Sequence, residues 1–191
     1  MGTLHPLRPA PSATAGTAYV GAVLFVASWS VLFAALFFAY GLIRLRAPVW
    51  PPLEAAEPLW WPPRAATALL VGSSLALAAG FAAGREGARA TARAWLLAAF
   101  FGGVGFLACQ AWSLYDLWQQ GEALSSAFGG VFFGLLGFHA LHVVACLLVL
   151  GGAWWAVGRG QDERAWLRAA ELFWHFLGIV WVLLFLAIYV L

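Results

Sequence analysis

Lysine is absent from this 191-residue chain, and charged residues of any kind make up only 9% of it. A soluble domain carries roughly a quarter charged residues. With 64% hydrophobic residues, the composition excludes a soluble globular protein and describes a chain whose solvent is mostly lipid. Cysteine is almost as scarce. Cys109 and Cys146 lie inside apolar runs, so neither a disulfide framework nor a soft-metal site is indicated, and each reads as a small buried hydrophobe. The net charge is only +2, with arginines mainly in loops, where they orient the chain and meet anionic lipid heads. No nucleic-acid role follows. The loops contain no phosphate cradle, dinucleotide fingerprint or nucleophile elbow.

What is present is long hydrophobic runs. Five can be read, at Ala18–Ile43, Ala65–Ala83, Ala94–Trp118, Phe128–Val157 and Arg168–Leu191. Crossing a hydrocarbon core of about 30 Å takes about 20 helical residues. Only helices or closed barrels satisfy their backbone in lipid, and the ten-residue alternating segments of a barrel are missing. The expected fold is an all-α bundle of five transmembrane helices spanning 17–191, preceded by a flexible, Pro-rich tail at 1–16. The tail does not resemble a cleaved secretory signal; a signal anchor in the first helix is the alternative. Seven arginines fall on one side (8, 85, 89, 93, 159, 164, 168) and three on the other (44, 46, 64). The positive-inside rule then puts the N-terminus in the cytoplasm and the C-terminus in the periplasm.

The longest loop, "RLRAPVWPPLEAAEPLWWPPR" (44–64), holds two Trp-Pro-Pro units at 50–52 and 61–63. Proline stiffens it and stops the flanking helices, while Trp50, Trp60 and Trp61 suit the membrane interface. A rigid interfacial cap is the plain reading; a docking edge for a partner is the functional one.

Polar groups inside the spans are the functional candidates, since lipid cannot hydrogen-bond them. They are Trp29–Ser30, Ser73–Ser74, Gln110, Tyr115–Asp116, His139, His142, Glu171 and His175. His139 and His142 share one helical face, as do Glu171 and His175 at i and i+4. At about 1.5 Å per residue, His142 lies ~21 Å below one surface and His175 ~10 Å below the other. Antiparallel neighbours would bring these two rings to nearly the same depth, where they would meet or share a water or lipid headgroup. The roles open to the cluster are interhelical hydrogen bonding, proton or headgroup contact, and metal or haem ligation. Glycines in "FFGGVGF" (100–106) predict close backbone approach. So does the stripe of Gly130, Gly134 and Gly137, which lies opposite the histidine face and predicts that the fourth helix meets protein on both sides.

Several segments carry a family resemblance over nearly the whole chain. "GFHALHV" (137–143), "FWHFLGIVWVLLFLAIYVL" (173–191), "ALLVGSS" (68–74) and "LFFAY" (36–40) followed by "WPP" (50–52) resemble subunit III of the haem–copper oxidases, in its short five-helix bacterial form. The resemblance implies an integral subunit of a respiratory terminal oxidase in the bacterial inner membrane, with no catalytic residue, metal or cofactor of its own. It implies bound phospholipid in a cleft between helix groups. It also implies partnership with a catalytic subunit I that holds haem and copper, and with other oxidase subunits. His139, His142, Trp174, His175 and Glu171 would then be lipid or interhelical contacts. The chain departs from the family pattern in three places. Trp29 stands where a glutamate is usual, Gly178 where an aspartate is favoured, and Arg168 where the last helix begins with an acid. Loss of these carboxylates suits a scaffold rather than a proton-linked role. Two alternatives remain: an accessory protein of nitric oxide reductase, and a stand-alone haem or metal membrane enzyme using His139, His142 and His175.

Overall fold

A computed structural model describes residues 13–50, 60–119, 127–159 and 164–190. Five helices account for nearly all of them: α1 (Ala13–Arg46), α2 (Trp61–Arg85), α3 (Arg89–Gln119), α4 (Ala127–Arg159) and α5 (Arg164–Phe185). The last helix closes in a π-helical turn, Leu186–Val190. There is no strand among the described residues. All five helices are long and apolar enough to cross a membrane, with spans of 24 to 33 residues. α1 begins at Ala13, inside the segment expected as tail; residues 1–12 lie outside the described residues.

Local chemistry sets the ends. Pro62 and Pro63 occupy the first turn of α2, where a missing N–H leaves no bond unmade. At its other end Gly87 takes a positive φ of 78°, and the N–H of Ala88 donates to the carbonyl of Ala83 at 3.0 Å. That tight reversal starts α3 two residues later, so α2 and α3 form an antiparallel hairpin with the most extensive contact in the molecule.

Small residues let this pair approach. A Cβ added to Gly102 would lie 2.9 Å from the Cβ of Ser73, and one on Gly105 would lie 3.2 Å from Leu69. Ser73 makes use of the proximity by donating its hydroxyl to the Ala99 carbonyl at 2.7 Å. Gly103 faces the other way, into the core. A Cβ there would meet the Trp174 ring at 2.5 Å and Leu147 at 2.7 Å. The glycines of 100–106 therefore mediate close packing, as expected.

Gly134 and Gly137 of α4 do not. A Cβ on Gly134 or Gly137 would meet nothing within 4 Å. The neighbours of α4 are α1, α3 and α5. Its buried residues, Leu135, Leu136, His139, His142, Val143, Cys146 and Leu150, lie on the histidine-bearing half. Gly134 and Gly137 lie on the opposite half, where no other described helix of this chain packs against them, so the second protein face expected for α4 is not supplied by this chain.

α5 is the hub, touching α1, α2 and α4, with Trp174, Leu177, Val180, Trp181 and Leu184 all buried. α1 rests on α4 and α5 and buries only Phe33 and Tyr40 among its described side chains. At one end of the bundle, aromatic rings join the elements. Trp50 meets Tyr40 at 5.7 Å and Phe128 at 5.3 Å, Trp60 meets Tyr189 at 6.3 Å, and Trp61 meets Trp112 at 6.1 Å. The rest of the long loop, 51–59, lies outside the described residues.

Candidate functional site

His139 projects from α4 into the centre of the bundle and is fully buried. Its Nε2 lies 3.1 Å from the Leu177 carbonyl of α5, and its Nδ1 lies 3.2 Å from Gln110 Nε2 of α3. A carbonyl only accepts, so Nε2 carries the hydrogen. Nδ1 of the neutral ring then accepts from the Gln110 amide. One imidazole thereby ties α3, α4 and α5 together, and neither nitrogen is left with a free lone pair. Rings pack around it: Phe106 at 5.6 Å, Trp181 at 5.7 Å and Phe33 of α1 at 6.3 Å.

The polar thread continues into α2. Trp181 donates its indole N–H to Thr67 at 3.0 Å, and Thr67 in turn donates to the Pro63 carbonyl at 2.8 Å. Gln110 completes the set on α3, with its Oε1 buried and without a partner among the described residues.

His142 sits one turn along α4 and turns towards α1. Its Nδ1 donates to the Phe138 carbonyl within its own helix. Its ring meets Trp29 edge-on, centroids 4.0 Å apart at 88°, and Phe33 at 5.2 Å. Phe173 of α5 closes the group, 5.0 Å from Trp29. Trp29 of α1 thus holds the histidine through an edge-on aromatic contact.

Trp174 is buried with its ring against Gly103 of α3 and Leu147 of α4, and its indole nitrogen has no partner among the described residues. Glu171 is half-buried. His175 is exposed and lines an open groove of about 510 Å³ between α2 and α5, together with Leu70, Ser74, Gly178 and Ile179.

The expected meeting of His142 and His175 does not occur. At about 100° per residue, His175 lies roughly 160° around α5 from Leu177, which faces His139. α5 thus points Leu177 inward and His175 outward, past α2. Depth alone brought the two histidines together in the sequence; the rotation of α5 separates them. Among the described residues no three His, Cys, Asp or Glu side chains converge as metal ligands would.

Two contacts had weaker signals in the sequence. Tyr40 donates its hydroxyl to the Ala187 carbonyl in the π-helical turn, and Arg44 Nη1 reaches both, at 3.2 and 3.3 Å. Their i, i+4 spacing at the end of an apolar span was the available sign. Thr67 had only its place four residues after Pro63.

The family of cytochrome c oxidase subunit III matches residues 10–191. The chain belongs to the cytochrome c oxidase subunit III family. Cytochrome c oxidase subunit 3 of Synechocystis sp. is 35% identical, over 90% of this chain and 74% of its own length. The protein of that name in Thermostichus vulcanus is 32% identical, covering 90% of this chain and 86% of itself. Cytochrome bo(3) ubiquinol oxidase subunit 3 of Pseudomonas aeruginosa is 32% identical, over 91% of this chain and 85% of its own. As a subunit III, this is a multi-pass bacterial membrane protein and a non-catalytic subunit of a respiratory terminal oxidase.

Proposed function

We propose that this subunit III is a redox-inactive brace. It packs against the catalytic subunit I of its oxidase and holds phospholipid at its surface, while haem and copper in subunit I carry electrons to O2 and translocate protons. The arginine bias supports a cytoplasmic N-terminus and periplasmic C-terminus. His139, His142 and Trp174 act within the brace as interhelical contacts; Glu171 and His175 act at its surface.

One observation carries this reading. Both nitrogens of His139 are engaged with other helices, at Gln110 and at Leu177, and His142 commits its Nδ1 hydrogen to its own helix. Polar side chains in bundle interiors hydrogen-bond across helices in this manner, at roughly 0.6 kcal/mol each on average. A histidine that ligates iron or copper must keep a nitrogen for the metal.

The test is direct. The chain is purified apart from its complex, and its visible spectrum, iron and copper are measured. Spectra without a haem band and metal far below one equivalent are expected. A stoichiometric haem or copper that survives washing would overturn the reading.

A further inference from the structure

Gln110 is left one hydrogen short. His139 donates from Nε2 to the Leu177 carbonyl, so its Nδ1 takes a hydrogen from the Gln110 amide, and Gln110 must turn its Oε1 away as an acceptor. That oxygen is buried and has no donor among the described residues. Gln110 is 1% exposed, so neither lipid nor a neighbouring subunit reaches it.

Two buried hydroxyls continue this polar line. Ser113 follows Gln110 by three residues, which makes them neighbours on one helical face with Cβ atoms about 5–6 Å apart. Ser113 is buried and gives its hydrogen to the Cys109 carbonyl at 3.2 Å, leaving its oxygen free to accept. Tyr189, in the π-helical turn, faces Ser113. Its hydroxyl is buried and closes no direct hydrogen bond with a described residue. Its ring packs on Phe132 and Phe185, at 6.0 and 5.7 Å, whose apolar rings offer that hydrogen no lone pair.

The geometry points to one internal water molecule, bound where α3 meets the π-helical turn and held by Gln110 Oε1, Ser113 Oγ and Tyr189 Oη. The hydrogens then balance. The water donates one hydrogen to Gln110 Oε1 and the other to Ser113 Oγ, and it accepts the hydrogen of Tyr189. Three bonds are usual for a buried water, and bridging side chains one helical turn apart takes two bonds of about 2.8 Å each. Ordering a water costs less than leaving two buried polar groups unpaired. Tyr189 is thereby tied to α3, while the Ala187 carbonyl two residues earlier holds Tyr40 and Arg44 of α1. The π-helical turn is held from two helices, and the water extends the His139–Gln110 line towards the end of the bundle where Trp60 meets Tyr189.

The test uses the wild-type chain in its intact complex, imaged by electron cryomicroscopy at a resolution that shows ordered water. A solvent peak about 2.7–3.2 Å from each of Gln110 Oε1, Ser113 Oγ and Tyr189 Oη is expected. Absence of the peak overturns the proposal, whether or not Tyr189 then bonds Ser113 directly. So does a peak that leaves Gln110 Oε1 unpaired.

A thermal cycle on the full chain in detergent gives a second readout. Tyr189→Phe is expected to lower the melting temperature of the wild-type chain, and to lower it by about half as much or less in a Gln110→Leu background. Comparing the tyrosine change within each background removes the effect of Gln110→Leu on His139. An equal or larger shift in the Gln110→Leu background shows that the tyrosine does not feel the glutamine, as a direct Tyr189–Ser113 bond would have it, and contradicts the proposal.

Discussion

His139 of α4 and Leu177 of α5 are joined by a ring N–H···O=C contact of 3.1 Å, and that contact determines which end of the Gln110 amide faces the ring. Donating from Nε2 obliges Nδ1 to accept, so Gln110 presents its NH2 group. The order of three helices is thereby written into one side chain.

That geometry predicts coupled energetics. His139→Leu strands the buried Gln110 amide, and Gln110→Leu strands Nδ1; each single change is expected to cost about 1–3 kcal/mol. The double variant should cost clearly less than the sum, because both partners are then apolar. Thermal or denaturant unfolding of the four proteins in detergent checks this; strict additivity would show that the contact does not couple the helices.

Two glycines should respond in opposite ways to alanine. Gly103→Ala forces a methyl into Trp174 and Leu147 and should destabilise by about 1–3 kcal/mol. Gly134→Ala meets nothing and should be neutral or slightly stabilising in the detergent-solubilised chain. Trp174→Phe, which withdraws part of the obstructing ring, should recover part of the Gly103→Ala loss. Equal melting temperatures for the two alanine variants would contradict the packing described.

α1 buries little, so its polar contacts matter more. Tyr40→Phe removes the hydroxyl that donates to the Ala187 carbonyl and accepts from Arg44. The expected loss is modest, about 0.6 kcal/mol and at most about 1.7. It should be confined to the meeting of α1 with the π-helical turn. Faster amide exchange in Leu186–Val190, with the centre of α4 unchanged, is the signature; uniform acceleration across the bundle would argue against a local latch.

Much of this architecture was legible because membrane physics is coarse. A span of 20 apolar residues has few alternatives, so five helices followed from the sequence, and the glycines at 102, 103 and 105 marked a close approach. Periodicity also put His139 and His142 on one face of α4. It could not say which helices flank that face, because it fixes phase within a helix and carries no information about neighbours. For that reason the Gly134–Gly137 stripe was assigned a protein partner that the chain does not supply. For the same reason His175 was paired with His142 by depth, although rotation of α5 turns it towards α2. The edge-on Trp29–His142 contact depends on two residues more than a hundred positions apart, and neither shows the contact locally.

The account's central claim is that these imidazoles hold helices together while the chemistry proceeds elsewhere, and His142→Ala tests it most directly. Oxygen uptake is followed from the first turnovers in purified oxidase that still contains the chain at full stoichiometry, alongside the rate at which the chain is lost on washing. The account predicts wild-type initial rates with faster loss of the subunit, because the ring packed on Trp29 and Phe33 is gone. A fully assembled, stable complex that is inactive from its first turnover would contradict it.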